Sequence, residues 1–243
     1  MMQFYDSKYY QKDKRVGSRC LINGKDAYES FNADLVGIDM IPGILTVDFR
    51  ENPGMSGLNV FNSSIQTRGR TFRFYVGGSS EEEAEIHVSD LLAECKNCIV
   101  ITEESRFEYV AVMNGYTDEK PDIDYFHFVT ISFAVVYRLP LVTVELNGTG
   151  TVYNEGNQTT GLKLEIMPNR AISSMRIAGI TVKNLVANQP FIIDGITGQV
   201  MSNTINRFAD TDLIDFPKAE PGMNEIEVSV QVPVKVSFYP VFL

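Results

Sequence analysis

The chain has 243 residues, 44% of them apolar, and its 21 basic and 31 acidic residues leave a formal charge of −10. That length suits one large or two modest domains. The acid surplus excludes a nucleic-acid binder that works by neutralising phosphates, which needs a dense Lys/Arg surface. No stretch of about 18 uninterrupted apolar residues is present, so no membrane-spanning helix is expected.

The opening MMQFYDSKYYQKDKR carries charge but no apolar h-region, so no signal peptide is expected, and the protein reads as soluble and made inside the cell. Period-two patterns then dominate. Ile44–Phe49, Thr71–Val76, Ile99–Thr102, Tyr109–Met113 and His127–Tyr137 place β-branched or aromatic residues between Gly, Pro and Asn breaks, and all are predicted strands. Between the first two lies DFRENPGMSGLNVFNSS, residues 48–64, which reads as a long loop presenting Met55, Leu58, Val60 and Phe61. A loop with apolar residues at its tip packs on something, within the chain or on a neighbour. Arg68, Arg70 and Arg73 form the only local basic cluster. In a strand, Arg68 and Arg70 share a face with Phe72 and Phe74, which suits either an interface salt bridge or a solvated edge.

One helix is predicted, over 81–96. Ser80 followed by Glu83 is a capping box, and acidic residues 81 to 83 suit the positive helix N-terminus. Ala84, Val88, Leu91, Leu92 and Cys95 fall on one face, and Lys96-Asn97 supplies a cation and a stop. His87 stands four residues after Glu83, which reads as a surface pair. Cys95 and Cys98 have CxxC spacing at this helix end. With Cys20 they make an odd count, against a disulfide framework. His87 and His127 are the only histidines and neither has zinc-site spacing, so buried thiols are expected, with a redox pair or half a zinc site as the alternative.

A domain boundary is predicted near Arg138-Leu139-Pro140. It divides a β-domain with one helix, 1–141, from a β-sandwich, 142–243. After it the texture shifts to short alternating strands, Leu141–Leu146 and Leu162–Met167 among them, with a turn every ten residues or so. Ile192-Ile193-Asp194-Gly195 ends a strand at a turn where Gly195 is expected at positive φ, and Gly198 turns again. Asn203–Asp215 reads as a sandwich-edge loop, and Pro221-Gly222 as a corner. Ile226, Val228, Val230, Val232 and Val234 alternate towards one face and close the sandwich.

The string Thr181-Val182-Lys183-Asn184, Phe191-Ile192-Ile193-Asp194-Gly195, Thr197-Gly198-Gln199-Val200 and Glu220-Pro221-Gly222-Met223-Asn224-Glu225-Ile226 resembles the C-terminal domain of distal tail proteins of long-tailed bacteriophages. Leu21-Ile22-Asn23-Gly24-Lys25, an alternating strand, then one helix between strands agree in layout with the N-terminal half. The resemblance implies a mainly β fold with two parts: an N-terminal domain resembling tail-tube subunits that assembles as a ring, a hexamer in that family, and a C-terminal galectin-like sandwich. It also implies a structural part of the virion tail, joining the tail tube to the adhesion apparatus, with neighbouring tube and tip proteins as partners. DNA would be only passing cargo, and an acidic lumen lining would leave it free to slide. No insertion large enough for a separate carbohydrate-binding module is present. Loop 48–64 and the edge of the long strand 126–137 are the surfaces expected to associate.

The rival function is a carbohydrate-binding module engaging cell-surface glycans. Sugar faces are gripped by aromatic platforms, Trp above all, and the chain has no Trp. Tyr137, Tyr153 and Phe208 are the candidate substitutes. Hydrolysis is not expected. Carboxylate pairs such as Glu103-Glu104 are inevitable among 31 acids, and no nucleophile–His pair or metal set is visible. No catalytic, cofactor or metal residue is assigned.

Overall fold

In the computed structural model, residues 15, 17–41, 45–51, 58–65, 68–121 and 125–242 are described, with backbone alone for 45–51 and 58–65. The fold is mainly β, and the chain divides into two units, one ending at Tyr137 and one spanning Arg138–Phe242.

The first unit contains β1 (Cys20–Ile22), β2 (Lys25–Asp26), α1 (Ala27–Phe31), β3 (Ala33–Ile41), β4 (Leu45–Glu51), β5 (Leu58–Ile65), β6 (Arg68–Gly77), α2 (Glu81–Glu94), β7 (Asn97–Thr102), β8 (Glu108–Glu119) and β9 (Phe126–Arg138). Its main sheet runs β2-β1-β7-β8-β9-β6-β3. β9 alternates buried and half-buried residues along its whole length, and Val129, Ile131, Phe133, Val135 and Tyr137 all face the core. β6 sends Phe72, Phe74 and Val76 to the same side. Edge-to-face contacts of Phe72 with Phe133 (5.4 Å) and Tyr109 (5.8 Å) bind three strands together. α2 covers this core with Ala84, Val88, Leu91 and Cys95, the predicted stripe, and leaves Leu92 half-buried.

Five details differ from expectation. A second helix, α1, occupies Ala27–Phe31. At five residues it is too short to show a period, and its signal is a cap: Asp26 accepts from the amides of Tyr28 (3.1 Å) and Glu29 (3.5 Å). α2 ends at Glu94 rather than 96, because Cys95 caps it and Asn97 already begins β7. Residues 48–64 are not one long loop. β4 and β5 pair as an antiparallel hairpin with a register shift at Asp48/Phe49, and the alternation within each arm outweighs the Pro-Gly signals between them. Met55 lies outside the described residues, as do the side chains of Leu58, Val60 and Phe61. β9 is flanked by β8 and β6 and so has no free edge. β6 is interior too, between β9 and β3, so the arginines on it are not at a solvated edge.

The second unit contains β10 (Val142–Asn147), β11 (Gly150–Asn154), β12 (Thr160–Gly161), β13 (Lys163–Ile166), β14 (Ile172–Ile177), β15 (Ile180–Leu185), β16 (Phe191–Asp194), β17 (Gln199–Ser202), β18 (Ile205–Asn206), β19 (Lys218–Ala219), β20 (Gly222–Ile226), β21 (Pro233–Phe238) and β22 (Val241–Phe242). A six-stranded sheet runs β10-β21-β13-β16-β17-β18, and the pairs β11–β20, β12–β19 and β14–β15 stand apart from it. One core joins them: Leu164, Ile166, Phe191, Ile193, Val234 and Val236 from the sheet, with Val152, Met175, Ile177, Val182 and Ile226 from the pairs.

Turn residues explain most of the connections. Gly198 has φ 72° and closes the β16–β17 hairpin, where Asp194 Oδ1 accepts from Ile196 (2.9 Å) and Thr197 (3.0 Å). Gly195 does not have positive φ. It is glycine because a Cβ there would lie 2.6 Å from the Pro217 carbonyl oxygen and 2.7 Å from that of Leu162. Gly222 (φ 94°) begins β20, and Asn224 braces the corner by accepting from the Glu220 amide and donating to the Glu220 carbonyl, both at 2.8 Å. The alternating run from Ile226 is not one strand. Ile226, Val228, Val232 and Val234 are all buried, but Ile226 ends β20 and Val234 lies in β21 of another sheet.

Candidate interaction surfaces

Surfaces that can meet a partner begin with the sheet margins. β3 is an end strand of the first unit's sheet. Its first half is covered, because the Gly17 amide donates to Asp34 Oδ2 (2.8 Å) and the Ser18 amide to the Leu35 carbonyl (3.0 Å). Its second half, Asp39-Met40-Ile41, is exposed, with Met40 and Ile41 among the exposed large apolar residues of the unit. An uncovered strand margin presents backbone donors and acceptors to any extended segment.

The basic cluster is stacked on aromatic rings. The Arg68 guanidinium lies 5.6 Å from the Tyr137 ring centroid. Arg70 lies 5.3 Å from Tyr137 and 5.8 Å from Tyr109, and its Nε donates to the Tyr137 hydroxyl at 2.8 Å. These are cation–π stacks over the end of the aromatic core, not ion pairs. Arg73 points to the other face and pairs with Asp39 at 3.2 Å.

The histidines have settled partners. His87 Nδ1 lies 2.7 Å from the Gly77 carbonyl oxygen, beside the α2 start, where the Ser80 hydroxyl accepts from the Glu83 amide (3.2 Å) and Glu83 reaches back to Ser79. His127 is buried, with Nδ1 2.9 Å from Asp118 Oδ1 and Nε2 3.8 Å from Glu81 Oε1. The signal sequence reasoning missed is Asp118, nine residues before His127 on the neighbouring strand.

All three cysteines are free and buried. Burial pushes the Cys20 thiol up to about 12, and hydrogen bonding with Cys98 followed by burial raises Cys95 further. Cys98 Sγ lies 3.6 Å from the Cys95 carbonyl oxygen. Among the described residues, no group of three His, Cys, Asp or Glu is placed to hold a metal ion.

The glycan candidates separate. Tyr137 is buried in the first unit with its hydroxyl occupied by Arg70, whereas Tyr153 and Phe208 are exposed in the second. Tyr153 on β11 stands opposite Met223 on β20. A cleft of about 260 Å³ in this unit is lined by Ala178, Gly179, Lys218, Glu225 and Glu227, with no aromatic wall. Asn203–Asp215 holds β18, the end strand of the six-stranded sheet, and is tied to β15: Asp212 Oδ1 accepts from the Thr181 amide (2.6 Å) and Asp210 Oδ1 from Asn184 Nδ2 (2.7 Å). The hydrogen bond from Arg207, followed by that from Asn184, holds the Asp210 carboxyl below its usual range, and the Thr181 bonds do the same for Asp212.

The architecture defines a class: a helix-backed β-sheet unit followed by a second β unit. No family model matches the chain, and no curated protein matches it. Solved structures do. The Dit protein of phage SPP1, described as a paradigm of the hub adsorption apparatus in phages infecting Gram-positive bacteria, has the same fold at 14% identity, with TM-score 0.72 over 93% of this chain and 99% of that one. Two structures of the phage P2 baseplate in its activated conformation, with Ca and with Sr, match at 12% identity, with TM-scores 0.55 and 0.57 over 87% and 90% of this chain and 92% and 97% of theirs.

Proposed function

We propose that the protein is a structural component of a phage tail tip, forming a ring that joins the tail tube to the adhesion apparatus. The observation that carries this reading is the likeness to a hub protein over 93% of this chain and 99% of the other, which leaves neither chain with a large unmatched segment. The ring is a hexamer by the resemblance of the sequence to distal tail proteins. Its neighbours are tube and tip proteins, and its place is the virion tail, with DNA only as cargo. Self-association belongs to the first unit, whose β3 margin with Met40 and Ile41 replaces the interior strand β9 as the contact edge. The second unit is a galectin-like sandwich in this reading. The role is structural rather than catalytic.

Glycan binding has weaker support. One of its three aromatic candidates is sealed in the first unit, and the polar cleft of the second has no ring on which a sugar face would stack. Negative-stain microscopy with mass measurement of the purified protein, alone and with a tail-tip partner, tests the proposal. Rings of uniform subunit number are expected. A monomer at every concentration under both conditions would reject it.

A further inference from the structure

The first unit carries two surfaces whose charges are unspent. One is the guanidinium patch. Arg68 and Arg70 stack over Tyr137 and Tyr109, and Arg106 lies over Phe107 at 5.3 Å. Phe107 in turn meets Tyr137 edge-on at 5.9 Å, so all three cations cap one continuous aromatic cluster. None of the three makes an ion pair among the described residues; apart from the stacks, their one hydrogen bond is Arg70 Nε to the Tyr137 hydroxyl. In a chain of net charge −10, three cations without an acidic partner among the described residues form a surface of opposite sign to the whole. Stacking constrains each guanidinium plane, and a guanidinium fork is suited to bidentate capture of carboxylates.

The other is the outer face of α2. Glu82, Glu85, Ile86, Ser89, Asp90 and Ala93 are all exposed, at helical spacing, opposite the buried Ala84-Val88-Leu91-Cys95 stripe. Glu82, Glu85 and Asp90 make no ion pair among the described residues. Ile86 stands among them with half its surface in solvent. Three carboxylates around an apolar side chain match three guanidiniums around an aromatic cluster, none of the six in an ion pair among the described residues.

We infer that the guanidinium patch of one copy receives the outer face of α2 from the next copy, head to tail. The inference rests on the ring reading and adds a charged contact to the apolar β3 margin. The two surfaces are different patches of one chain, so the contact is heterologous, and such contacts close into rings when the rotation allows. Charge complementarity fixes the orientation, because patch against patch or helix against helix would set like charges face to face.

The test is trans-complementation by charge reversal. One variant carries Arg68→Glu with Arg106→Glu, leaving the more deeply engaged Arg70 in place. The other carries Glu82→Lys with Asp90→Lys. Circular dichroism melts verify that each folds, and sedimentation reads association. The wild type is expected to associate, each variant alone at least tenfold more weakly, and an equimolar mixture to recover, because the Glu-bearing patch then meets the Lys-bearing helix. If the wild type assembles and either folded variant assembles equally well, or the mixture fails to recover, this contact is wrong while the ring stands. If the wild type is monomeric at every concentration, alone and with its tail partner, the ring reading and this contact fall together. Should a variant not fold, Arg68→Gln and Glu82→Gln singly are each expected to weaken association severalfold, and either folded variant assembling as well as the wild type means that this contact is wrong.

Discussion

Replacing Asp26 with alanine should destabilise the first unit more than any other single change to a surface-proximal carboxylate. Its side chain is only 7% exposed and serves two structures at once. It caps α1 through the amides of Tyr28 and Glu29, and it receives Arg15 and, at 3.1 Å, Arg19. Loss of an N-cap costs about 0.5–2 kcal/mol. The Arg15 bond, to a charged acceptor with a mostly covered partner, adds about 1.5–3 kcal/mol. Arg19 is 58% exposed, so its share falls to about 0–1 kcal/mol. Because these overlap, a total of about 2–4 kcal/mol is expected, read as the shift in urea midpoint at constant slope.

The pH dependence gives the sharper check. Burial pushes the Asp26 carboxyl up, but the hydrogen bonds from Arg15 and Arg19 outweigh it, and the group titrates below its ordinary range when folded. A depressed folded value means stability present above the unfolded value, about 3.9, and lost as pH falls through the folded one. The gap between wild type and Asp26→Ala should therefore be full at pH 7 and narrow below about pH 4. Asp26→Asn keeps an amide-accepting oxygen and should recover the cap share, about 1 kcal/mol, at every pH. A gap under about 1 kcal/mol at pH 7, or one unchanged down to pH 2.5, would refute the assignment of charge to this site.

Cys20 and Cys95 should resist alkylation at pH 8 in the folded protein, since a thiol raised to about 12 holds roughly one part in ten thousand as thiolate; labelling as fast as in urea would contradict their burial. Cys95→Ser with Cys98→Ser should leave assembly intact and change stability only modestly, which a zinc stoichiometry lost in the double variant would overturn. Gly195→Ala should cost about 1–3 kcal/mol or more by driving Cβ into two backbone carbonyls, and a neutral melt would show that the Leu162–Pro217 neighbourhood yields. Residues 142–243 should fold alone and melt cooperatively without self-association, and 138–243 should be the more stable fragment, because the Arg138 guanidinium lies 3.8 Å from the Tyr239 ring centroid and the Leu139 amide donates to Pro240; an unfolded or oligomeric fragment would reject this division.

What could be read in advance follows from how local its cause is. The α2 cap, its buried stripe and the alternating strands depend on residues within one turn or one strand, and Ser80, Val88 and Phe133 announce them. Asn23-Gly24, at φ 51° and 81°, is a hairpin turn legible from two letters. Gly195 was legible as a necessary glycine but for the wrong reason, because the carbonyls that crowd it come from Leu162 and Pro217, each more than twenty residues away. Sheet order is non-local in the same way. Nothing in His127–Tyr137 says that β6 and β8 will flank it, so a strand with the look of a free edge proves central. The cluster of Arg68 and Arg70 with Tyr109 and Tyr137 is likewise invisible until three strands are side by side.

A subunit of net charge −10 meets its own copy against a general repulsion, and the proposed contact must overcome it locally. The two contributions respond oppositely to salt. The diffuse repulsion acts across many ångströms and is screened once the Debye length drops to about 8 Å near physiological ionic strength. Screening alone therefore strengthens association as salt rises. Guanidinium–carboxylate pairs at the rim of an interface weaken over the same range, whereas the aromatic and Ile86 contacts gain slightly. The wild type should associate best at intermediate salt and more weakly at about 1 M, where the Debye length is about 3 Å. The Arg68→Glu, Arg106→Glu variant has lost the attractive share and gained four units of negative charge, so its association, if any, should only rise with salt. Sedimentation of both proteins across the series reads the difference in sign directly. A wild type whose association climbs monotonically to 1 M would mean that apolar burial, such as the Met40-Ile41 margin of β3, holds the copies together and that the charged faces contribute nothing.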